Sequence, residues 1–266
     1  MADRYAVIGN PVAHSKSPWI HAQFARQTGQ EIEYGAILAP NGGFSRAVAE
    51  FRASGGRGAN VTLPFKQDAF RLAARTSERA RAARAVNTLV LDADAPYGDN
   101  TDGAGLISDL QRNLGFDFAG KRVLLMGAGG AAQGVVGPLL DTGPSRLAIA
   151  NRTVHRALAL AGRFPPAFGG GYAEFAGEQF DLVINATSAG LSDELPALPK
   201  AIFAEGALAF DMVYGRDTPF LRLARGAGAT VSDGLGMLVE QAAESFFVWR
   251  GVRPDTAPIL AALRSA

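Results

Sequence analysis

The stretch Gly120–Ala132, GKRVLLMGAGGAA, decides the fold. An apolar run, Val123–Met126, breaks into Gly127, Gly129 and Gly130 and passes straight into an alanine-rich helix start. The spacing Gly127-x-Gly129-x-x-Ala132 is weak by itself in a chain with 32 glycines. Its place between a strand and a helix makes it a dinucleotide-binding fingerprint. Gly127 can take the tight turn, Gly129 lets the backbone approach a pyrophosphate, and Ala132 allows helix to pack closely on strand. The helix start supplies free amides and a positive dipole end, which suit a pyrophosphate. The structural alternative is a glycine-rich turn in an α/β domain that binds nothing.

The next strand, in SRLAIANRT, carries the cofactor choice. An NAD site places an acidic side chain at its end, to accept from the ribose 2′-hydroxyl. This chain offers Asn151, Arg152 and Thr153 there, with Arg156 one helical turn later. A guanidinium has the fork geometry that suits a phosphate. The cofactor indicated is NADP. Helix capping by Thr153 and solvation of the arginines would explain those residues, but less well the missing acid.

Outward from this point, apolar β-branched runs alternate with amphipathic stretches, the pattern of an α/β protein with parallel strands. RYAVIGN, EIEYGAILA, GANVTL and AVNTLVL read as strands before the glycine loop, and FDLVINATSAG, ALAFDMVY and ATVSDG after it. SPWIHAQFARQTG reads as a helix with Ser17 as N-cap, Pro18 at the first position and Gly29 as stop. TDGAGLISDLQRNLG and GMLVEQAAESFFVWRG read as further helices, and a domain boundary falls near Asp102.

Composition narrows the class. A chain of 266 residues, 48% hydrophobic and 19% charged, can bury one large core or two ordinary ones. Its net charge of +1 lacks the clustered basic footprint of a nucleic-acid binder. The absence of cysteine excludes disulfides, thiolate metal sites and a cysteine nucleophile. No secretory leader or bilayer-length apolar run is visible, so the expectation is a cytoplasmic protein. No His/Asp/Glu cluster has metal-ligand spacing, so no metal is expected.

Lysine occurs only at Lys16, Lys66, Lys121 and Lys200. Lys66 follows the strand end in NVTLPFK, the usual place for site residues in an open α/β sheet. Hydride transfer at a carbonyl needs a proton donor or acceptor at the oxygen, and the three histidines are poorly placed for it. A solvated helix-start lysine is the plain alternative. Asp102 in GDNTDGAG opens a helix, and capping would account for it. Asn60, Thr62, Asn87 and Thr88 add polar side chains on strands, and Ser15 and Ser17 flank a helix start suited to a carboxylate. His21 and His155 read as exposed. Trp19, Phe246, Phe247 and Trp249 have helical spacing and read as core.

GNPVAHSKSP, NVTLPFK, AVNTLV, GDNTDG, GAGGAA, NRT, NATSAG, DMVY and DGLGMLVEQAA follow one another along nearly the whole chain. This ordered set closely resembles shikimate dehydrogenase, of the shikimate/quinate dehydrogenase family. The resemblance implies an N-terminal α/β substrate domain (1–102), a Rossmann NADP domain (103–235) and C-terminal helices (236–266) that return to the first domain, placing Gln241 across the cleft from Lys66. It implies NADPH-dependent, reversible reduction of 3-dehydroshikimate to shikimate, in chorismate and aromatic amino acid biosynthesis. Lys66 and Asp102 would be the catalytic pair. Ser15, Ser17 and Tyr214 would seat the substrate carboxylate. Thr62, Asn87, Asp102 and Gln241 would meet the ring hydroxyls, with Asn60 nearby. Gly127, Ala128, Gly129, Gly130 and Ala131 would wrap the pyrophosphate. Asn151, Arg152, Thr153 and Arg156 would hold the 2′-phosphate, with Met212 and Gly234 near the nicotinamide. Arg84 stands where the family often has glycine. Ser17 and the missing acid favour shikimate with NADP over the broader quinate/shikimate group. A non-catalytic shikimate- and NADP-binding protein is the more distant alternative. Monomer and homodimer both stay open.

Overall fold

The computed structural model describes residues 2–91, 95–187, 198–199 and 201–265. The chain forms two compact units: Met1–Leu106 with Leu238–Ala266, and Ile107–Met237.

The first unit begins with β1 (Asp3–Gly9), α1 (Ser17–Thr28), β2 (Ile32–Leu38), α2 (Phe44–Ala53), β3 (Gly56–Val61) and α3 (Lys66–Leu72). It continues with β4 (Arg75–Thr76), α4 (Glu78–Ala83), β5 (Thr88–Val90), β6 (Tyr97–Asp99) and the start of α5 (Asp102–Ser108). The sheet order is β2-β1-β3-β5-β6-β4. Strand β1 is buried from Tyr5 to Gly9 because parallel neighbours flank it and helices cover it. Ile8, Phe44, Val48, Phe51, Val61, Phe65 and Leu89 build this unit's core.

The expectation of parallel strands fails locally here: β5 runs antiparallel to both β3 and β6. The short β6 and the helix α4 lie in stretches too brief to show a period. Gly98 belongs in β6 because a Cβ there would lie 2.6 Å from Val86 Cγ2 and 2.9 Å from Ala73 Cβ. Arg84 closes α4 in the left-handed region, φ 52°, where glycine would sit without strain.

The second unit holds β7 (Arg122–Met126), α6 (Gly130–Asp141), β8 (Arg146–Ala150), α7 (Val154–Ala161) and β9 (Phe168–Gly170). After these come β10 (Phe180–Asn185), β11 (Phe203–Asp211), α8 (Pro219–Gly226) and β12 (Thr230–Ser232). All paired strands are parallel, in the order β12-β11-β10-β7-β8-β9. This is the doubly wound order, with β7 central and the glycine turn leaving its carboxyl end. Two last helices, α9 (Leu235–Arg250) and α10 (Ala257–Arg264), complete the chain. Of the NATSAG motif, Ser188, Ala189 and Gly190 lie outside the described residues, as does Lys200.

Three side-chain expectations are corrected. His21 is fully buried, on the inward face of α1. Trp19 and Phe247 are 41% exposed, while Phe246 is buried. Ser17 is not the N-cap: Lys16 holds that position without a side-chain bond, and Ser17 opens the helix itself.

Candidate active site

Strand β3 ends at Val61, and the chain turns through Thr62–Phe65 into α3. Thr62 donates its amide to Ile8 and Phe65 returns its own to Thr62. Phe65 is buried against Phe44, ring centroids 5.2 Å apart, which anchors the turn. Lys66 therefore opens α3 from a fixed point, and its carbonyl accepts from Val86 N at 2.9 Å.

From there Lys66 Nζ donates to Asp102 Oδ2 at 2.6 Å. The side chains are 17% and 6% exposed, so the pair is largely shielded from water. Asn87 Nδ2 donates to the other carboxylate oxygen at 2.8 Å and lies within reach of Thr101 Oγ1 (2.9 Å) and Gln241 Oε1 (3.3 Å). Asp102 is held from behind, its amide donating to Asn100 Oδ1 at 3.1 Å. Lys66, Asn87, Asp102 and Gln241 are thus one connected group on four different elements or their edges.

Asn60 continues the network inward. Its Oδ1 accepts from the Tyr34 hydroxyl at 2.7 Å, and its Nδ2 reaches Ser245 Oγ, Asn87 O and Thr88 Oγ1 at 3.0–3.3 Å. Thr88 Oγ1 and Thr101 Oγ1 also meet Ser245 Oγ, at 2.8 and 3.0 Å. Nothing in the sequence pattern marks Tyr34, Thr101 or Ser245 for this cluster. Thr62 packs its methyl over Gly9, where a Cβ would lie 2.3 Å from it. Ser15 and Ser17 sit together: Ser15 Oγ accepts the Ser17 amide at 3.2 Å. Ser15, not Ser17, thereby satisfies an orphan amide of α1.

A charged brace stands behind the site. Arg79 donates to both oxygens of Asp99 and to Glu244 on α9. Burial pushes the Asp99 carboxyl up, but the Arg79 and Ser77 hydrogen bonds more than reverse it, leaving it below the ordinary carboxylate range.

In the second unit, Gly127 has φ 107°, and a Cβ there would lie 3.0 Å from Ala186 O. Gly129 is the N-cap of α6, exposed, with nothing within 4 Å of the space its Cβ would take. Ala132 is fully buried under the helix. Ala128 is buried and Gly130 and Ala131 are half-buried, and a helix N-terminus opening on the exposed Gly129 suits a pyrophosphate. Beyond β8, Asn151 Nδ2 donates to Thr153 O at 2.9 Å and shapes the loop. Thr153 is the N-cap residue of α7 but makes no side-chain cap bond, so capping does not account for it. Arg152 and Arg156 are exposed. Burial raises the Tyr172 phenol above its ordinary pKa, and the Arg152 charge partly offsets this. The donor set fits a 2′-phosphate.

Met212 and Tyr214 follow β11, half-buried. Gly234 packs on Met212: a Cβ would lie 2.4 Å from its carbonyl oxygen. Asp211 anchors this loop, accepting from Thr218 Oγ1 (2.6 Å), Val213 N (3.0 Å) and Asn185 Nδ2 (3.1 Å). Burial raises its carboxyl above the ordinary range despite these bonds. Among the described residues, no three metal-ligating side chains are grouped.

A doubly wound unit with an open glycine turn, and a second α/β unit carrying a lysine–carboxylate pair, define a two-domain pyridine-nucleotide dehydrogenase. Family models describe residues 7–89 as a shikimate dehydrogenase substrate binding domain, 109–192 as shikimate/quinate 5-dehydrogenase, and 234–264 as a shikimate 5'-dehydrogenase C-terminal domain. A shikimate dehydrogenase (NADP(+)) from Dechloromonas aromatica is 61% identical, over 100% of this chain and 98% of its own. An Ael1 enzyme from Pseudomonas putida has a similar structure, with TM-score 0.93 and 50% identity over 98% of each chain. Shikimate 5-dehydrogenase from Thermus thermophilus, in complex with NADP(H) and shikimate, gives a TM-score of 0.89 at 36% identity over 99% of each chain. The chain belongs to the shikimate dehydrogenase family.

Proposed function

We propose that the chain catalyses the reversible, NADPH-dependent reduction of 3-dehydroshikimate to shikimate, in chorismate and aromatic amino acid biosynthesis. The observation that carries this reading is the shielded Lys66–Asp102 pair, 2.6 Å apart and joined to Asn87 and Gln241.

When bound, the cofactor supplies the hydride. Lys66 delivers a proton from Nζ to the oxygen of the substrate carbonyl as negative charge develops there. Asp102 fixes Nζ through one oxygen, and Asn87 fixes that carboxylate through the other. In the reverse direction the neutral amine of Lys66 takes the hydroxyl proton. Ser15 and Ser17 at the start of α1 seat the substrate carboxylate, with Tyr214. Thr62, Asn87, Asp102 and Gln241 meet the ring hydroxyls, and Asn60 holds them in register. Gly127, Ala128, Gly129, Gly130 and Ala131 cradle the pyrophosphate. Asn151, Arg152, Thr153 and Arg156 hold the 2′-phosphate, and Met212 and Gly234 flank the nicotinamide. The place of action is the cytoplasm. No helix among the described residues is long and apolar enough to cross a membrane.

The test follows nicotinamide absorbance with shikimate or quinate, each with NADP⁺ or NAD⁺. Turnover confined to shikimate and NADP⁺ is expected. Comparable rates with quinate or NAD⁺ would replace this reading with a broader dehydrogenase. Absence of turnover with either acid would sink it.

A further inference from the structure

In the first unit, one guanidinium joins two stretches that carry candidate substrate contacts. Arg79 on α4 donates through Nε and Nη2 to the two oxygens of Asp99, at 2.7 and 2.6 Å. Through Nη1 it donates to Glu244 Oε1 at 2.9 Å. Asp99 is the last residue of β6, three before Asp102. Glu244 stands three residues after Gln241 on α9, a spacing that puts both on one face of the helix. Both carboxylates are shielded, with side chains 6% and 14% exposed.

These contacts close a ring. Asp99 leads along the chain to Asp102, whose Oδ1 accepts from Asn87 Nδ2. Asn87 Nδ2 also reaches Gln241 Oε1, and one turn of α9 leads on to Glu244 and back to Arg79. Within the ring, Asn87 and Gln241 meet directly only through a neutral contact of 3.3 Å. The Arg79 bonds are charge-assisted and shorter, a class roughly twice as strong. The guanidinium therefore sets the register of Gln241 against Asp102 more firmly than the direct contact does. Burial opposes ionisation of Glu244, but hydrogen bonds from Arg253 and Arg79 more than reverse it, leaving the carboxyl below its ordinary range. A shielded ion cluster adds little net stability, because desolvation offsets the attraction. What the planar fork supplies is a fixed geometry between the groups it joins.

We propose that Arg79 is a positioning residue for substrate binding: its guanidinium ties the Glu244 turn of α9 to Asp99 and so holds the Gln241 amide in register with Asp102 for the ring hydroxyls. The inference rests on the reading of Gln241 as a substrate contact. Arg79 touches neither substrate nor cofactor in this scheme. The Lys66–Asp102 bond and the Asn87 bond behind it do not pass through Glu244. The α9 arm of the brace therefore governs affinity for the substrate and leaves proton transfer alone.

The experiment measures steady-state kinetics with shikimate and NADP⁺, and thermal unfolding, for Glu244→Ala, Arg79→Lys, Arg253→Ala, Gln241→Ala and the Glu244→Ala/Gln241→Ala double variant. Glu244→Ala removes the α9 arm and leaves Asp99 paired. Arg79→Lys keeps the charge but not the fork that spans both carboxylates. Each should raise KM for shikimate about three- to tenfold, the effect of loosening one hydrogen bond to a ligand. kcat and KM for NADP⁺ should stay within about twofold, because the proton-transfer pair is untouched. Arg253 donates to the other oxygen of Glu244 from a half-exposed position, so Arg253→Ala should leave KM for shikimate within about twofold. In the Gln241→Ala background, Glu244→Ala should leave KM almost unaltered, since the group it positions is gone. The inference is overturned if Glu244→Ala and Arg79→Lys lower only the unfolding temperature while KM holds. It is also overturned if the KM effects of Glu244→Ala and Gln241→Ala multiply in full, or if Arg253→Ala raises KM as much as Glu244→Ala does. If Gln241→Ala itself leaves KM for shikimate unchanged, the reading of Gln241 is wrong and the role of Arg79 falls with it. Absence of turnover in the parent chain would instead sink the proposed function.

Discussion

Gly105 on α5 and Gln241 on α9 approach so closely that a Cβ at Gly105 would lie 2.5 Å from Gln241 Cβ and 2.6 Å from its backbone nitrogen. The neighbour is partly backbone and cannot rotate away. This contact sets where Gln241 presents its amide to Asn87 and Thr101. Gly105→Ala should therefore destabilise the first unit by about 1–3 kcal/mol, the usual cost of overpacking, and should raise KM for shikimate. Thermal unfolding and steady-state kinetics on one preparation test both. Unchanged values for both would mean that the helices separate freely there.

Lys66→Ala should lower kcat by about 10²–10⁴, the usual worth of a positioned acid–base group. KM for shikimate should change far less. Asp102→Asn should lower kcat too, since a neutral amide cannot pair with the ammonium across the 2.6 Å contact. Near-normal turnover in Lys66→Ala, with only affinity altered, would remove Lys66 from the proton-transfer role.

Arg152→Ala should weaken NADP⁺ by about tenfold or more, the cost of a lost charge-assisted phosphate contact, and leave the poorer NAD⁺ reaction nearly as it is. Asn151→Asp should push preference toward NAD⁺ by supplying an acceptor for the ribose hydroxyl. Parallel kinetics with both cofactors give the ratio directly. An unchanged ratio in Arg152→Ala would assign the phosphate to other side chains.

Arg84 has φ 52°, the only left-handed non-glycine backbone among the described residues. Its side chain is exposed. Arg84→Gly should stabilise the protein by up to about 1 kcal/mol, because relief of left-handed strain exceeds the added freedom of the unfolded chain. A rise in unfolding temperature without a change in kinetics is the expected result.

His21 gives a pH dependence of stability with a definite sign. Folding lowers its pKa from 6.5 to about 3 through burial. Between those values the unfolded chain carries the extra proton. Stability is thus intact above about pH 6.5 and falls as pH drops toward 3, by up to about 1.4 kcal/mol per pH unit from this group. The groups facing the ring from α1, β2, β3 and α9 are Phe24, Tyr34, Asn60, Phe246 and Trp249, none of them charged, and Asn60 opposes the effect of burial only in part. His21→Phe should lose this component. Denaturant unfolding from pH 4 to pH 7 should therefore show a smaller slope for the variant than for the parent chain, and equal slopes would refute the assignment.

Much of the fold was legible in short stretches. The run Val123–Met126 followed by Gly127, Gly129 and Ala132 carries strand, turn and helix within one window, and the parallel sheet of the second unit grows from it. Lys66 was readable because it follows a strand end, and Asp102 because it opens a helix. The missing acid after β8 needs no structure to be seen. By contrast, β6 and α4 are too short for a period to emerge, and the antiparallel β5 reads like any apolar run. Pro18 and Gly29 bounded α1, yet Ser17 misled, because a serine before proline looks the same whether it caps the helix or opens it.

The sequence by itself determined the glycine turn after β7, the scarcity of lysine that singles out Lys66, and the lack of an acid at Asn151. Each depends on backbone conformation or charge within a few neighbouring residues. Only the tertiary structure decided which side chains share the site. Asn87 meets Gln241 from 154 residues away, Asn60 meets Ser245 from 185, and His21 disappears beneath α9 although its helix is only weakly amphipathic by sequence. The physical reason is that these partners are chosen by how sheets and helices pack. A hydrogen bond between distant residues has no local signature, because its energy exists only once the chain has already brought them together.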